Sequence, residues 1–195
     1  MNATTPKLCI VVGASTGGPD ALARMLRKMP DLGSACVVLV QHLTVVLSGN
    51  LAAWLSSESG LKVVHPVVRH PMCAGEVVLL TGNHWHMNRQ CVLEVHPQAL
   101  DGIYAQPSID FFMHSVVEHW QHDAVGVILT GMGKDGAQGL LAIKQRGWRT
   151  YLQNEASCLV YGMPCVAQKL GASTIMLEPE KIGEMLQYHM RHMVA

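Results

Sequence analysis

The stretch VVGASTGGPD, residues 11–20, runs two valines into a glycine-rich turn and then into a Pro-Asp pair. Leu8–Val12 is a short apolar run of the kind that forms a buried strand. Past the turn, Ala21, Leu22, Met25, Leu26 and Met29 recur at helical spacing, and Pro30 ends that helix. A strand that bends through glycines into a helix is the opening half of a βαβ unit. The same turn admits two chemistries. It can hold a phosphate on backbone N–H groups, or it can present Ser15 as a nucleophile. Glycine spacing does not choose between them, although Gly-x-Gly-x-x-Gly is not matched and the P-loop lysine is absent.

Outward from this turn the pattern repeats. ACVVLVQ, Ala35–Gln41, is a second buried strand, and Leu47, Leu51, Trp54 and Leu55 mark a second helix. LKVVHPV, residues 61–67, is a third strand. Between Gly75 and His96 the runs shorten: EVVLL, HWHMN and CVLEVH, with NRQ as a turn, predict a small antiparallel hairpin. Ser108 is an N-cap for a helix carrying Ile109, Phe112, Met113, Val116 and Val117. AVGVILT, Ala124–Thr130, is the clearest buried strand. GMGKDG follows it, then a helix with Leu140, Leu141 and Ile143 that Gly147 closes. RTYLQ is a further strand. Pro164 starts a helix that Gly171 ends, and STIML precedes a last helix from about Pro179.

Buried strands alternating with helices predict an α/β fold. The expected form is a doubly wound, mostly parallel sheet with helices on both faces, plus the small antiparallel hairpin. No linker or repeat interrupts residues 1–195, which reads as a single domain. The composition is 49% hydrophobic and 14% charged, which excludes disorder. Acidic and basic residues balance at 14 each, so no field for a polyanion is implied and nucleic acid is not an expected partner. Cysteines at 9, 36, 73, 91, 158 and 165 form no Cys-x-x-Cys pair and predict no disulfide framework. No basic leader precedes a long apolar segment, and no run approaches membrane-spanning length. The expectation is a cytoplasmic protein without direct membrane insertion.

In such sheets the active site lies beyond the carboxyl ends of the strands. Three ends carry unusual groups: Ser15-Thr16, Gln41-His42, and Gly131-Met132-Gly133-Lys134-Asp135. A hydroxyl, an imidazole and a carboxylate on one rim are the parts for acyl transfer. Each also has a structural reading. Ser15 suits an N-cap, His42 a core histidine, and Asp135 a cap for the helix after Gly136. Their shared place at strand ends strengthens the catalytic reading.

GASTGG, VQH and ILTGMGKDGAQGL together resemble the catalytic domain of the chemotaxis protein-glutamate methylesterases (CheB type), which also deamidate glutamine in chemoreceptors. QNEASCLVYGMP is similar to that family as well, so four motifs in order cover about Leu8 to Leu177. The resemblance implies Ser15 as nucleophile, His42 as general base and Asp135 as the group that orients it. It implies an oxyanion hole from the backbone of Met132, with Thr16 as a second contributor. It implies no cofactor and no metal, and the cytoplasmic helices of methylated chemoreceptors as substrate.

Two departures stand out. Family members usually carry an N-terminal receiver domain, and with Met1 about seven residues before the first strand none is expected here; activity independent of phosphorylation follows as an expectation. The stretch VHPQALDGIYAQ, residues 95–106, lacks the arginine usual before the Pro-Ser-x-Asp motif, here Pro107–Asp110. The loop after His42, QHLTVVLSG, lacks the usual proline-rich start. The 95–106 stretch and the QHLTVVLSG loop are both expected to border the substrate cleft. A serine esterase or amidase with another substrate, and a non-catalytic receptor-binding module, are therefore the alternatives. His84-x-His86, His119-x-x-His122 and His189-x-x-His192 have metal-like spacing but match no standard signature. The first pair is better read as a substrate contact.

Overall fold

A computed structural model describes residues 4–97 and 106–192. Ten strands run β1 (Leu8–Ala14), β2 (Ala35–Gln41), β3 (Val63–Val64), β4 (Arg69–Pro71), β5 (Val77–Leu80), β6 (Trp85–Met87), β7 (Val92–Val95), β8 (Asp123–Ile128), β9 (Arg149–Gln153) and β10 (Met176–Leu177). The helices are α1 (Gly18–Leu26), α2 (Val45–Ser59), α3 (Ile109–His119), α4 (Ala137–Gln145), α5 (Met163–Lys169) and α6 (Pro179–His192). Seven strands form one sheet in the order β10-β9-β8-β1-β2-β5-β3, with every pairing parallel. The other three form a small antiparallel sheet, β4-β7-β6.

Period-two alternation in β1 explains the two layers of helices. Leu8, Ile10 and Val12 pack on one face with α1, α2 and α6. Cys9 and Val11 pack on the other with α3, α4 and α5. Every residue of β1 and β2 is buried, as expected for central strands of a parallel sheet covered on both sides. Each such aliphatic side chain contributes about 1.5–3 kcal/mol relative to its exposed state.

Three elements differ from their sequence expectation. The first strand runs two residues further, through Gly13-Ala14. A side chain at Gly13 would crowd α3 and β8, because a Cβ would lie 2.5 Å from Ile109 Cγ2 and 2.8 Å from Ile128 Cδ1. EVVLL does not belong to the hairpin. Val77–Leu80 is fully buried and pairs in parallel with β2 and β3, so this short run is a sheet strand, and the hairpin is β6–β7 alone. The third strand shrinks to Val63–Val64. Arg69–Pro71 adds an edge to the small sheet that no alternation announced, since its residues are exposed or half-buried and Pro71 suits only an edge.

Candidate active site

Strand order places Ser15 between two neighbours. β1 lies between β2 and β8, and Ala14 is in register with Gln41. The His42 N–H donates to Ala14 O at 3.1 Å, so the chain leaves β1 and β2 at the same level. Adjacent strands lie about 4.8 Å apart, which brings the Ser15 and His42 backbones side by side. On the other flank, the Ser15 N–H donates to Thr130 O at 3.1 Å. Gln41 Nε2 donates to Ser15 O at 3.0 Å and to His42 O at 3.2 Å, fastening both turns to one buried side chain. The turn itself closes with Gly17 at φ 79° and a bond from the Gly18 N–H to Ser15 O at 2.8 Å. That left-handed position is cheap only for glycine.

Asp135 comes from the loop after β8 and meets His42 across the end of β1. His42 Nε2 lies 2.8 Å from Asp135 Oδ2. A carboxylate only accepts, so Nε2 carries the proton and Nδ1 keeps a free lone pair. Asp135 is also seated on the first turn of α3. Its Oδ2 accepts from the Ile109 N–H at 2.7 Å, and its Oδ1 accepts from the Asp110 N–H at 3.0 Å and from Ser108 Oγ at 3.2 Å. Ser108 Oγ in turn accepts from the Phe111 N–H, capping α3 as its sequence position foretold. Burial pushes the Asp135 carboxyl up, but His42 and the Ile109 and Asp110 N–H groups outweigh it, so the group is held below its usual value. Neighbouring Asp110 is pushed up, chiefly by burial, although the Gly139 N–H donates to it at 2.7 Å.

Among the described residues no hydrogen bond engages the Ser15 hydroxyl. Nucleophile–base bonds in unliganded sites are often long and tighten only around substrate. The backbone N–H groups of Thr16 and Met132 likewise donate to no protein acceptor among the described residues. Both flank the Ser15 turn. Gly131 packs so tightly against it that a Cβ there would lie 2.7 Å from Ser15 Cβ. Thr130 ties the rim together: its N–H donates to Gln153 Oε1 at 2.7 Å, and its Oγ1 donates to Thr16 O at 3.0 Å and accepts from the Val160 N–H at 2.9 Å. A hollow of about 450 Å³ lined by His42, Leu43, Thr44, Gly82 and Gln106 opens beside the base.

Gln41, Thr130, Gln153 and Ser108 hold this rim. Each lies inside a motif already quoted and stands at the end of a strand or the start of a helix, yet none was assigned a role in the site. His84 is buried at 4% exposure, and its Nδ1 accepts from the Ser108 N–H at 3.2 Å, so it supports the start of α3. His189 bonds the Tyr151 hydroxyl and His192 stacks on Tyr188, which accounts for that pair by packing. All six cysteines are free. Residues 98–105, the core of the altered 95–106 stretch, lie outside the described residues. No helix among the described residues is long and apolar enough to cross a membrane.

A family model described as CheB methylesterase matches residues 10–186. A protein-glutamate methylesterase/protein-glutamine glutaminase of Pseudomonas aeruginosa is 44% identical over 91% of the chain and 53% of its own length. One from Cupriavidus metallidurans is 44% identical over 94% of the chain and 54% of its own length. The chain thus spans about half the length of the curated relatives it matches. The crystal structure of the Thermotoga maritima CheB methylesterase catalytic domain superposes with a TM-score of 0.84 at 28% identity, covering 95% of this chain and 100% of that one.

Proposed function

The chain belongs to the CheB methylesterase family, and from that premise we propose that it is a serine hydrolase that removes methyl esters from glutamate side chains of chemoreceptors, and deamidates glutamine there, in adaptation of a chemosensory pathway in the cytoplasm. The observation that carries this reading is the His42–Asp135 pair, 2.8 Å apart, on the same strand-end rim as Ser15.

Ser15 Oγ attacks the γ-carbonyl of the ester while His42, through Nδ1, takes the hydroxyl proton. Asp135 stays ionised, fixes the imidazole tautomer and stabilises the imidazolium. The Thr16 and Met132 N–H groups, unengaged by protein acceptors, hold the tetrahedral oxyanion. The ester C–O bond then breaks, and His42 returns the proton to the departing methoxide, which leaves as methanol. Water attacks the acyl-enzyme, giving its proton to His42, and the C–O bond to Ser15 breaks. Glutamate is released and the serine hydroxyl regains its proton. Glutamine follows the same path with ammonia as the leaving group. No step calls on a metal or an organic cofactor.

The test is methanol release from a methylated chemoreceptor cytoplasmic fragment, beside generic esters and a fluorophosphonate probe. The expected result is release by the wild-type chain, covalent labelling at Ser15, and neither in Ser15→Ala. Release undiminished in Ser15→Ala would refute the assignment. Turnover of generic esters without the receptor fragment would place the chain with the esterases of other substrates. Receptor binding without labelling would leave a binding module.

A further inference from the structure

The rim opposite Ser15, where the strands begin, carries a second cluster that the proposed hydrolysis does not use. Glu76 stands immediately before β5 and its side chain is 4% exposed. His70 belongs to β4 and Cys73 to the loop between the two strands. One donor atom from each, the His70 imidazole nitrogen, the Cys73 sulfur and a Glu76 carboxylate oxygen, lies within 4.8 Å of both others. His70 Nε2 is 2.6 Å from Glu76 Oε1, Lys62 Nζ is 3.3 Å from Glu76 Oε2, and Cys73 Sγ faces Pro71 O at 3.4 Å.

The loop holding these groups is pinned by its backbone. The Ala74 N–H donates to Thr4 O at 3.0 Å, the Gly75 N–H to Ala35 O at 2.8 Å, and Glu76 O accepts from the Val37 N–H at 3.1 Å. The three side chains are therefore presented by fixed main chain, as a preformed ligand set requires.

We propose that His70, Cys73 and Glu76 form a divalent-metal site of the zinc type, with water as the fourth ligand. An imidazole nitrogen, a thiolate and a carboxylate are the donor set of a borderline-soft ion, and too soft for magnesium or calcium. Zinc bonds of about 2.0–2.3 Å in a tetrahedron set ligand atoms roughly 3.3–3.8 Å apart. The cluster reaches that shape when the His70–Glu76 contact opens by about an ångström and the thiol closes in. The Cys73 thiol, a weak donor to Pro71 O, stays within 4.8 Å of both other ligand atoms and is close enough to join them on an ion. On binding, the Cys73 S–H bond gives its proton to solvent and its sulfur pair to the metal. The His70 proton moves from Nε2 to Nδ1, freeing Nε2 as a ligand. One proton is released per ion.

The spacing His70-x-x-Cys73-x-x-Glu76 spans a strand end and a loop, outside any standard zinc signature, so only the fold assembles it. The ion fastens the small antiparallel sheet, through β4, to the start of β5 in the main sheet. This inference is independent of the hydrolase reading.

The test uses the tag-free chain, stripped with chelator and titrated with Co²⁺ and Zn²⁺. The expected result is one equivalent of Co²⁺ with a thiolate-to-metal absorption band in the near ultraviolet, and a Tm that rises with Zn²⁺ concentration. Cys73→Ser should lose the band, and His70→Gln should bind at least about tenfold more weakly, since even supporting groups of metal sites carry that much. Both positions are partly exposed, and circular dichroism checks their fold. Cys165→Ser should behave as wild type. A band that survives in Cys73→Ser, or no Co²⁺ uptake by the wild-type chain, overturns the proposal.

Discussion

Asp135 takes its shortest hydrogen bond, 2.7 Å, from the backbone N–H of Ile109, and the same oxygen lies 2.8 Å from His42 Nε2. The proposed orienting carboxylate is thus docked on the N-terminal turn of α3, where free N–H groups and the helix dipole favour an anion. The imidazole is oriented by an acid that a helix from elsewhere in the chain holds still.

Asp135→Asn should therefore separate activity from fold. The amide oxygen, in the place of Oδ1, can still accept from the Asp110 N–H and Ser108 Oγ, but the NH₂ in the place of Oδ2 would face His42 and the Ile109 N–H, losing that one backbone bond and reversing the imidazole tautomer. Methanol release should fall by roughly 10⁴, the size found for this change in other serine hydrolases. Far-ultraviolet circular dichroism should be unchanged. A loss under tenfold would mean that Asp135 does not set the tautomer.

Acid should erase the stability difference between these two chains. The Asp135 carboxyl is held below its usual value in the folded state, despite the upward push of burial. Its stabilisation is full above the unfolded carboxyl pKa of about 3.9 and is lost as the pH falls through the lower folded value. Urea midpoints of wild type and Asp135→Asn should converge between about pH 5 and pH 2. A constant gap across that window would place the stabilisation elsewhere.

Ser108→Ala removes the N-cap bond to Phe111 and the 3.2 Å bond to Asp135. The expected cost is about 1 kcal/mol of stability. The Ile109 and Asp110 N–H groups remain on the carboxylate, so turnover should drop only about fivefold. Thermal melts and kcat measure the two effects. A loss as large as that of Asp135→Asn would show that the cap, and not the helix backbone, carries the orientation.

Gly131→Ala should damage the proposed nucleophile turn. The added Cβ would meet Met163 Sδ, and Ser15 Cβ at 2.7 Å. Overpacking of this kind costs about 1–3 kcal/mol. Met163 can turn aside, but Ser15 is anchored through its backbone to Thr130 and Gln41. Fluorophosphonate labelling of Ser15 should slow by more than the melting temperature alone would suggest. Wild-type labelling would mean the turn has slack that these contacts deny.

Legibility in the sequence followed burial. Leu8–Val12, Ala35–Gln41 and Ala124–Thr130 were readable because a strand covered on both faces needs an unbroken apolar run. Ser108 was readable because capping is local. EVVLL was misplaced into the hairpin because four buried residues look alike in any sheet, and its partners, β2 and β3, lie many residues away. The bond from the Ser108 N–H to His84 was hidden because nothing local shows that this N–H would reach the ring.

By itself, the sequence determined a doubly wound sheet and which strand ends bear a hydroxyl, an imidazole and a carboxylate, since periodicity and turn chemistry are properties of neighbouring residues. Only the tertiary structure decided that β1 lies between β2 and β8, that Asp135 rests on the first turn of α3, and that His70, Cys73 and Glu76 meet at the opposite rim. The first two depend on contacts between residues far apart in the chain, and the third on a loop that Thr4, Ala35 and Val37 pin from a distance; packing selects these and local propensity cannot encode them.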